Sequence, residues 1–297
     1  MDSEGDAGGD DPSSPTLKTA PDEQFPRTSE LPLQSPLYWV AEKDRYLRQP
    51  LIRDIEKQTG RALVVYFADT ETADVNAQIH PSDDAFMAEV LRPVQGQPYD
   101  LLLETNGGYT DATEKMVAQL RSCNMDFRVI VPRRAKSNGT LVALASTQIV
   151  MGPASELGPI DPNVVLNPQQ AVPAHFLLQI PNADPVLLQS ALNAVMQTKK
   201  LATSLLQTGM MAADSAEVSN VVEQLATRNH FHSHGSVIDA AEATRLRLSV
   251  LSLGADHELW RRIWLLRCLY AHDIRKNGLV KVFEGARISN SLSSVGP

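Results

Sequence analysis

Cysteine is nearly missing from this chain: two residues in 297, Cys123 and Cys268, far apart in the sequence. A disulfide-stapled scaffold is thereby excluded, and both thiols, in segments of helical apolar spacing, are expected to be free and buried in a reducing compartment. No run approaches eighteen uninterrupted apolar residues, so no membrane-spanning helix is expected. Positive charge is not in excess either. The net charge is −8, but eight acids against Lys18 and Arg27 fall within Met1–Glu30, which leaves the remainder at about −2. A nearly neutral body offers no basic face for nucleic acid. A phosphate-cradling GxxxxGK[ST] loop is absent, as is any repeat of 20 to 50 residues. The N-terminus lacks the basic and apolar regions of a signal peptide. These absences point to a cytoplasmic protein whose chemistry requires no nucleotide or metal cofactor.

What is present is ordinary globular material, 43% apolar and 21% charged, long enough for a sizeable core. Residues 1–35 carry many prolines and no apolar periodicity and read as a disordered acidic tail; residues 36–297 read as a single domain. Helical spacing of Tyr46, Leu47, Leu51, Ile52 and Ile55 predicts a helix ending at Gly60. ALVVYFA (62–68), YDLLLETNGG (99–108, ending in two glycines), FRVIVP (127–132) and QIVMG (148–152) read as strands of the kind buried on both faces of a parallel sheet. Helical patterns separate them, the first with Ser82 or Asp83 as its expected cap, the others beginning at Asp111 and after Ser137. The expected class is α/β with repeated parallel β-α units. From Asp184 onward long helical patterns dominate, including 184–211, 215–228 and 258–274, so the C-terminal region is expected to be helical.

Two turns stand out. Gly107 and Gly108 stand at the carboxyl end of the second strand, where binding sites of parallel sheets gather; they either make a turn or allow close approach of backbone N–H groups to a ligand. Thirty residues on, Ser137 sits at another strand-to-helix turn. It either caps that helix or presents its hydroxyl as a nucleophile beside amide donors. Adjacent strands would bring both turns to one edge of the sheet.

The segments TNGG (105–108), AKSNGT (135–140) and MGPASELGPIDP (151–162) resemble the serine dehydrogenase proteinase family, relatives of signal peptide peptidase A and the Clp peptidase. The resemblance spans roughly residues 45–250, and NAVMQTKKLATSLL (193–206) and FHSHGSVIDAAEA (231–243) follow later family segments more loosely. It implies a Clp/crotonase-like fold and a serine peptidase acting on peptide or protein substrates as a homo-oligomer. Ser137 would be the nucleophile, the N–H groups of Gly108 and Asn138 the oxyanion hole, and Lys199 the base of a Ser–Lys dyad. Asn106 and Asn138 stand where the family usually has proline and alanine. His175 is an alternative base in a Clp-like Ser–His–Asp arrangement, and Lys136 a third, expected to point away from the hydroxyl. His230, His232 and His234 alternate and could share one face toward zinc, or belong to a loop packed on the site. A crotonase-type acyl-CoA enzyme, or an inactive scaffold of the same fold, are the competing expectations.

Overall fold

Four central strands fall within the four expected from the sequence, and their order in the sheet is what places the site. The computed structural model describes residues 42–167 and 170–294, together with Leu37 and Val40. The expected tail of residues 1–35 lies outside the described residues. Residues from Asp44 onward form one compact unit.

The helix α1 (Lys43–Thr59) closes at Gly60, whose φ of 68° and N–H bond to Glu56 O (2.8 Å) form a left-handed C-terminal stop. Then follow β1 (Ala62–Ala68), α2 (Asp83–Leu91), β2 (Tyr99–Glu104), α3 (Thr110–Cys123) and β3 (Phe127–Val131). Next come β4 (Arg134–Ala135), α4 (Asn138–Leu144), β5 (Gln148–Met151) and β6 (Glu156–Leu157). A hairpin of β7 (Asn163–Asn167) and β8 (Gln170–Pro173) leads through α5 (Ala174–Leu177) to the long α6 (Pro185–Gln207), α7 (Val218–Ala226) and α8 (Ala240–Arg245). The chain returns to the sheet with β9 (Val250–Ser252), crosses as α9 (Glu258–Asn277), and continues as β10 (Leu279–Gly285) and β11 (Ser289–Ser293).

The main sheet runs β11-β10-β1-β2-β3-β5-β9. Strands β1, β2, β3, β5 and β9 are parallel, and β10 and β11 are antiparallel additions at one edge. Side chains alternate between two cores, as a period of two requires. Val64, Tyr66 and Ala68 face a core shared with α2, α3 and α4. Leu63, Val65 and Phe67 face Ile52 and Ile55 of α1 and Trp260, Ile263 and Tyr270 of α9.

The helices expected in the C-terminal region appear as α6, α7 and α9, and residues 279–285 and 289–293, for which no element was expected, are two further strands. Their pattern is obscured by Lys281 and Glu284, both fully buried. Glu284 accepts from Arg48 Nε (2.7 Å) and Tyr270 Oη (2.6 Å), and Arg48 also bonds Asp273. Burial is possible only because these charges satisfy one another. Glu284→Ala leaves Arg48 half-paired and the Tyr270 hydroxyl without its acceptor; a loss of about 3–5 kcal/mol is expected, read by urea denaturation.

Two smaller expectations also change. Ser82 occupies the first capping position of α2 but makes no capping bond, its hydroxyl lying 2.9 Å from His80 Nδ1, and the Asp83 carboxylate turns inward instead. Both cysteines are free, Cys123 buried as expected but Cys268 exposed. A maleimide should therefore label Cys268 in the native protein and Cys123 only after unfolding, as peptide mapping would read.

Candidate active site

The parallel pairing of β2 with β3 continues past both strand ends. Thr105 N–H donates to Arg134 O (2.9 Å) and Lys136 N–H to Thr105 O (3.0 Å), so the TNGG and AKSN turns run side by side. At the end of this extension Ser137 takes φ 52° and ψ −119°, a conformation rare for a residue with a side chain. Such strain, of order 1–3 kcal/mol, persists only where surrounding bonds over-determine it. They do so here. Gly139 N–H donates to Lys136 O (2.7 Å) and Thr140 N–H to Ser137 O (2.9 Å), while the buried Thr140 hydroxyl donates to Ala135 O (2.8 Å) and accepts from Gly158 N–H (3.0 Å). Ser137 makes no capping bond to its helix, so the capping explanation of this serine fails. Its hydroxyl has no hydrogen-bond partner among the described residues.

Gly107 lies close against the serine, and Gly108 against Ile79. A Cβ on Gly107, whose φ is 101°, would lie 2.8 Å from Ser137 Cβ; one on Gly108 would lie 2.3 Å from Ile79 O. The reason is a short parallel bridge: Ile79 N–H donates to Gly107 O (2.8 Å), and Tyr109 N–H to Ile79 O (2.9 Å). In a trans peptide N–H and C=O point in opposite directions. Fixing Gly107 O on Ile79 therefore turns Gly108 N–H the other way, and neither it nor Asn138 N–H meets a protein acceptor among the described residues. Asn138 also ties the two turns together, its Nδ2 donating to Gly108 O and lying 3.5 Å from Thr110 Oγ1. Asn106 is exposed, its Nδ2 on Thr70 O (2.8 Å).

Ser137, Asn138, Gly107 and Gly108 are thus brought together. Lys199 lies on α6, which packs against α4, Ala202 sharing the core that holds Leu141–Ala145, while Val195 packs with Ala174 and Leu177 of α5. The amine itself reaches the neighbouring α7, donating to Glu223 Oε2 at 2.5 Å, with its side chain 34% exposed. His175 Nε2 donates to Ala226 O (2.9 Å). The Lys136 amine is engaged elsewhere: its Nζ donates to Leu157 O (3.1 Å) and Ser236 O (3.0 Å) and pairs with Glu156 (3.3 Å). Burial pushes its pKa down, and the Glu156 carboxylate opposes that shift.

The three histidines part company. His230 pairs with Glu242, His232 Nδ1 with Arg228 O, and His234 Nδ1 with Asp161 Oδ1 at 2.8 Å. Among the described residues no group of three His, Cys, Asp or Glu is placed to hold a metal ion. Asp161, fully buried, also accepts from Arg228 Nε (2.8 Å). Sequence reasoning passed over this pair; the acid within ELGPIDP was the available signal. Glu104 lies across the sheet on Arg267 of α9, with bonds of 2.8 and 3.1 Å; burial raises its pKa and Arg267 opposes.

Residues 46–285 match the ClpP-like SDH-type serine proteinases. The chain belongs to that family. Its strained Ser137 and paired glycine turn accordingly sit on a ClpP-like fold, with a mostly parallel central sheet. The archaeal relative MJ0137 of Methanocaldococcus jannaschii, an uncharacterized protein, is 28% identical over 201 residues, 65% of this chain and 67% of the relative. A second from the same organism, MJ1495, also uncharacterized, is 30% identical over 128 residues, 41% and 44% of the two chains. Among solved structures, two mutants of the 1510-N membrane-bound stomatin-specific protease are similar at 17% identity and a TM-score of 0.41. One is in complex with a substrate peptide; they cover 62% of this chain and 75% and 79% of theirs. Among the described residues of the present family member, no helix is long and apolar enough to cross a membrane.

Proposed function

We propose that this family member hydrolyses peptide bonds with Ser137 as nucleophile and Lys199 as general base. The observation that carries the first half is the strained Ser137 backbone, which presents a hydroxyl without a partner among the described residues beside two amides likewise without acceptors. The hydroxyl oxygen attacks the scissile carbonyl carbon, and the C=O electron pair moves onto oxygen. The N–H groups of Gly108 and Asn138 receive that oxyanion; such donors act strongly because they are already oriented before charge develops. The base takes the serine proton and returns it to the leaving amine, giving an acyl-enzyme and a free amino terminus. Water, deprotonated by the same base, then releases the acid and restores Ser137.

Lys199 is supported by the family resemblance and by its helix packing against the helix that follows Ser137. Its bond to Glu223 has to open before the amine can serve, which makes α7 part of the working cycle. The competing acyl-CoA reading needs the oxyanion amides but no serine. The test is exposure of purified protein to a fluorophosphonate, with the adduct located by mass spectrometry. Modification of Ser137 is expected. An adduct elsewhere, or none, removes the peptidase reading.

A further inference from the structure

Lys281 is fully buried in β10, on a strand the site does not otherwise use. Its Nζ donates to Asp83 Oδ1 (2.5 Å) and to the backbone carbonyl of Gln78 (2.7 Å). Asp83, equally buried, accepts on Oδ2 from Tyr66 Oη (2.8 Å) and from the backbone N–H of His80 (3.0 Å). The ion pair therefore grips the chain on both sides of Ile79, the residue that holds the glycine turn.

We propose that the Lys281–Asp83 pair is a positioning element for the Gly108 oxyanion donor. Three peptide planes carry the effect in series. Lys281 fixes the carbonyl of the Gln78–Ile79 peptide, and because that peptide is trans its N–H points the opposite way, onto Gly107 O at 2.8 Å. Gly107 O belongs to the Gly107–Gly108 peptide, so the same geometry turns Gly108 N–H away from Ile79 and out of the bridge. Asp83 fixes the next peptide by its N–H at His80, whose carbonyl partner, Ile79 O, receives Tyr109 N–H at 2.9 Å. The oxyanion amide is thus held from behind by two charged side chains rather than by flexible loop contacts. Burial pushes the Lys281 pKa down and the Asp83 carboxylate opposes this, keeping the amine a donor to Gln78. A buried ion pair does not by itself favour folding over an apolar pair of similar volume; a directional hold on Gln78 O is something an apolar pair cannot supply.

This inference rests on the peptidase reading, and the experiment separates the two. Wild type, Lys281→Met and Asp83→Asn are compared in peptide turnover and in affinity for a peptide boronate, whose tetrahedral adduct on Ser137 sets an oxygen in the oxyanion hole. Lys281→Met is expected to lower kcat roughly 10²-fold with KM little changed, and to weaken the boronate by the same factor. Asp83→Asn keeps only one of the two acceptor oxygens and loses the charge, and about a tenfold loss in both is expected. Should Lys281→Met fail to fold, Asp83→Asn carries the comparison. A folded variant with wild-type kcat and boronate affinity overturns the proposal, however far its unfolding midpoint falls. Absence of any boronate adduct on wild-type Ser137 overturns the peptidase reading instead.

Discussion

Ser137→Ala is expected to lower kcat by about 10⁵–10⁶-fold while leaving the folded state in place. The loss is large because nucleophile and base act as a unit: without the hydroxyl there is no acyl-enzyme, and only residual catalysis by oriented amides remains. Stability should respond differently. Alanine at φ 52° carries the same backbone strain as serine, whereas Ser137→Gly removes it and should raise stability by about 1 kcal/mol. A pair of inactive variants, with only the glycine form melting higher than wild type, is the expected signature. Wild-type turnover by Ser137→Ala would place the nucleophile elsewhere.

Lys199→Met is expected to lower kcat by about 10²–10⁴-fold with binding of substrate little affected, the range for loss of a general base. Its partner gives the contrast. Glu223 accepts from Lys199 at 2.5 Å, a bond that has to open before the amine can turn to the serine. Glu223→Gln should therefore raise turnover at neutral pH, opposite in sign to Lys199→Met. Steady-state kinetics on the two variants settles the assignment. If both leave kcat unchanged, Lys199 is a surface ion pair worth about 1 kcal/mol or less. Attention would then move to His234, whose Nδ1 is held by Asp161 and whose Nε2 has no partner among the described residues.

The central strands could be read in advance because burial on both faces leaves a local mark. ALVVYFA appears as a strand with the expected limits, and YDLLLE as one that stops four residues short of the end expected at Gly108. The Ser137 turn was visible for a related reason: a serine between a buried strand and a small-residue helix has few conformations open to it. The last two strands left no such mark. Lys281 and Glu284 are fully buried, yet in sequence a lysine and a glutamate look like solvent-facing residues; their partners, Asp83 and Arg48, lie about 200 and 236 residues away. Asp83 was misjudged for the same reason. Its place just before a helical pattern suggests a cap, but a lysine from the far end of the chain claims it.

The sequence by itself determined the α/β class, four of the five parallel strands, the Ser137 turn and its glycine neighbour, since each follows from short-range apolar pattern and backbone restriction. Only the tertiary structure decided that Ile79 clamps the glycines, that Lys281 and Asp83 stand behind Ile79, and that Lys199 meets Glu223. Those outcomes depend on hydrogen bonds and charge pairs between residues far apart in the chain, whose strength is set by mutual distance and burial, and neither quantity exists before the sheet has brought them together.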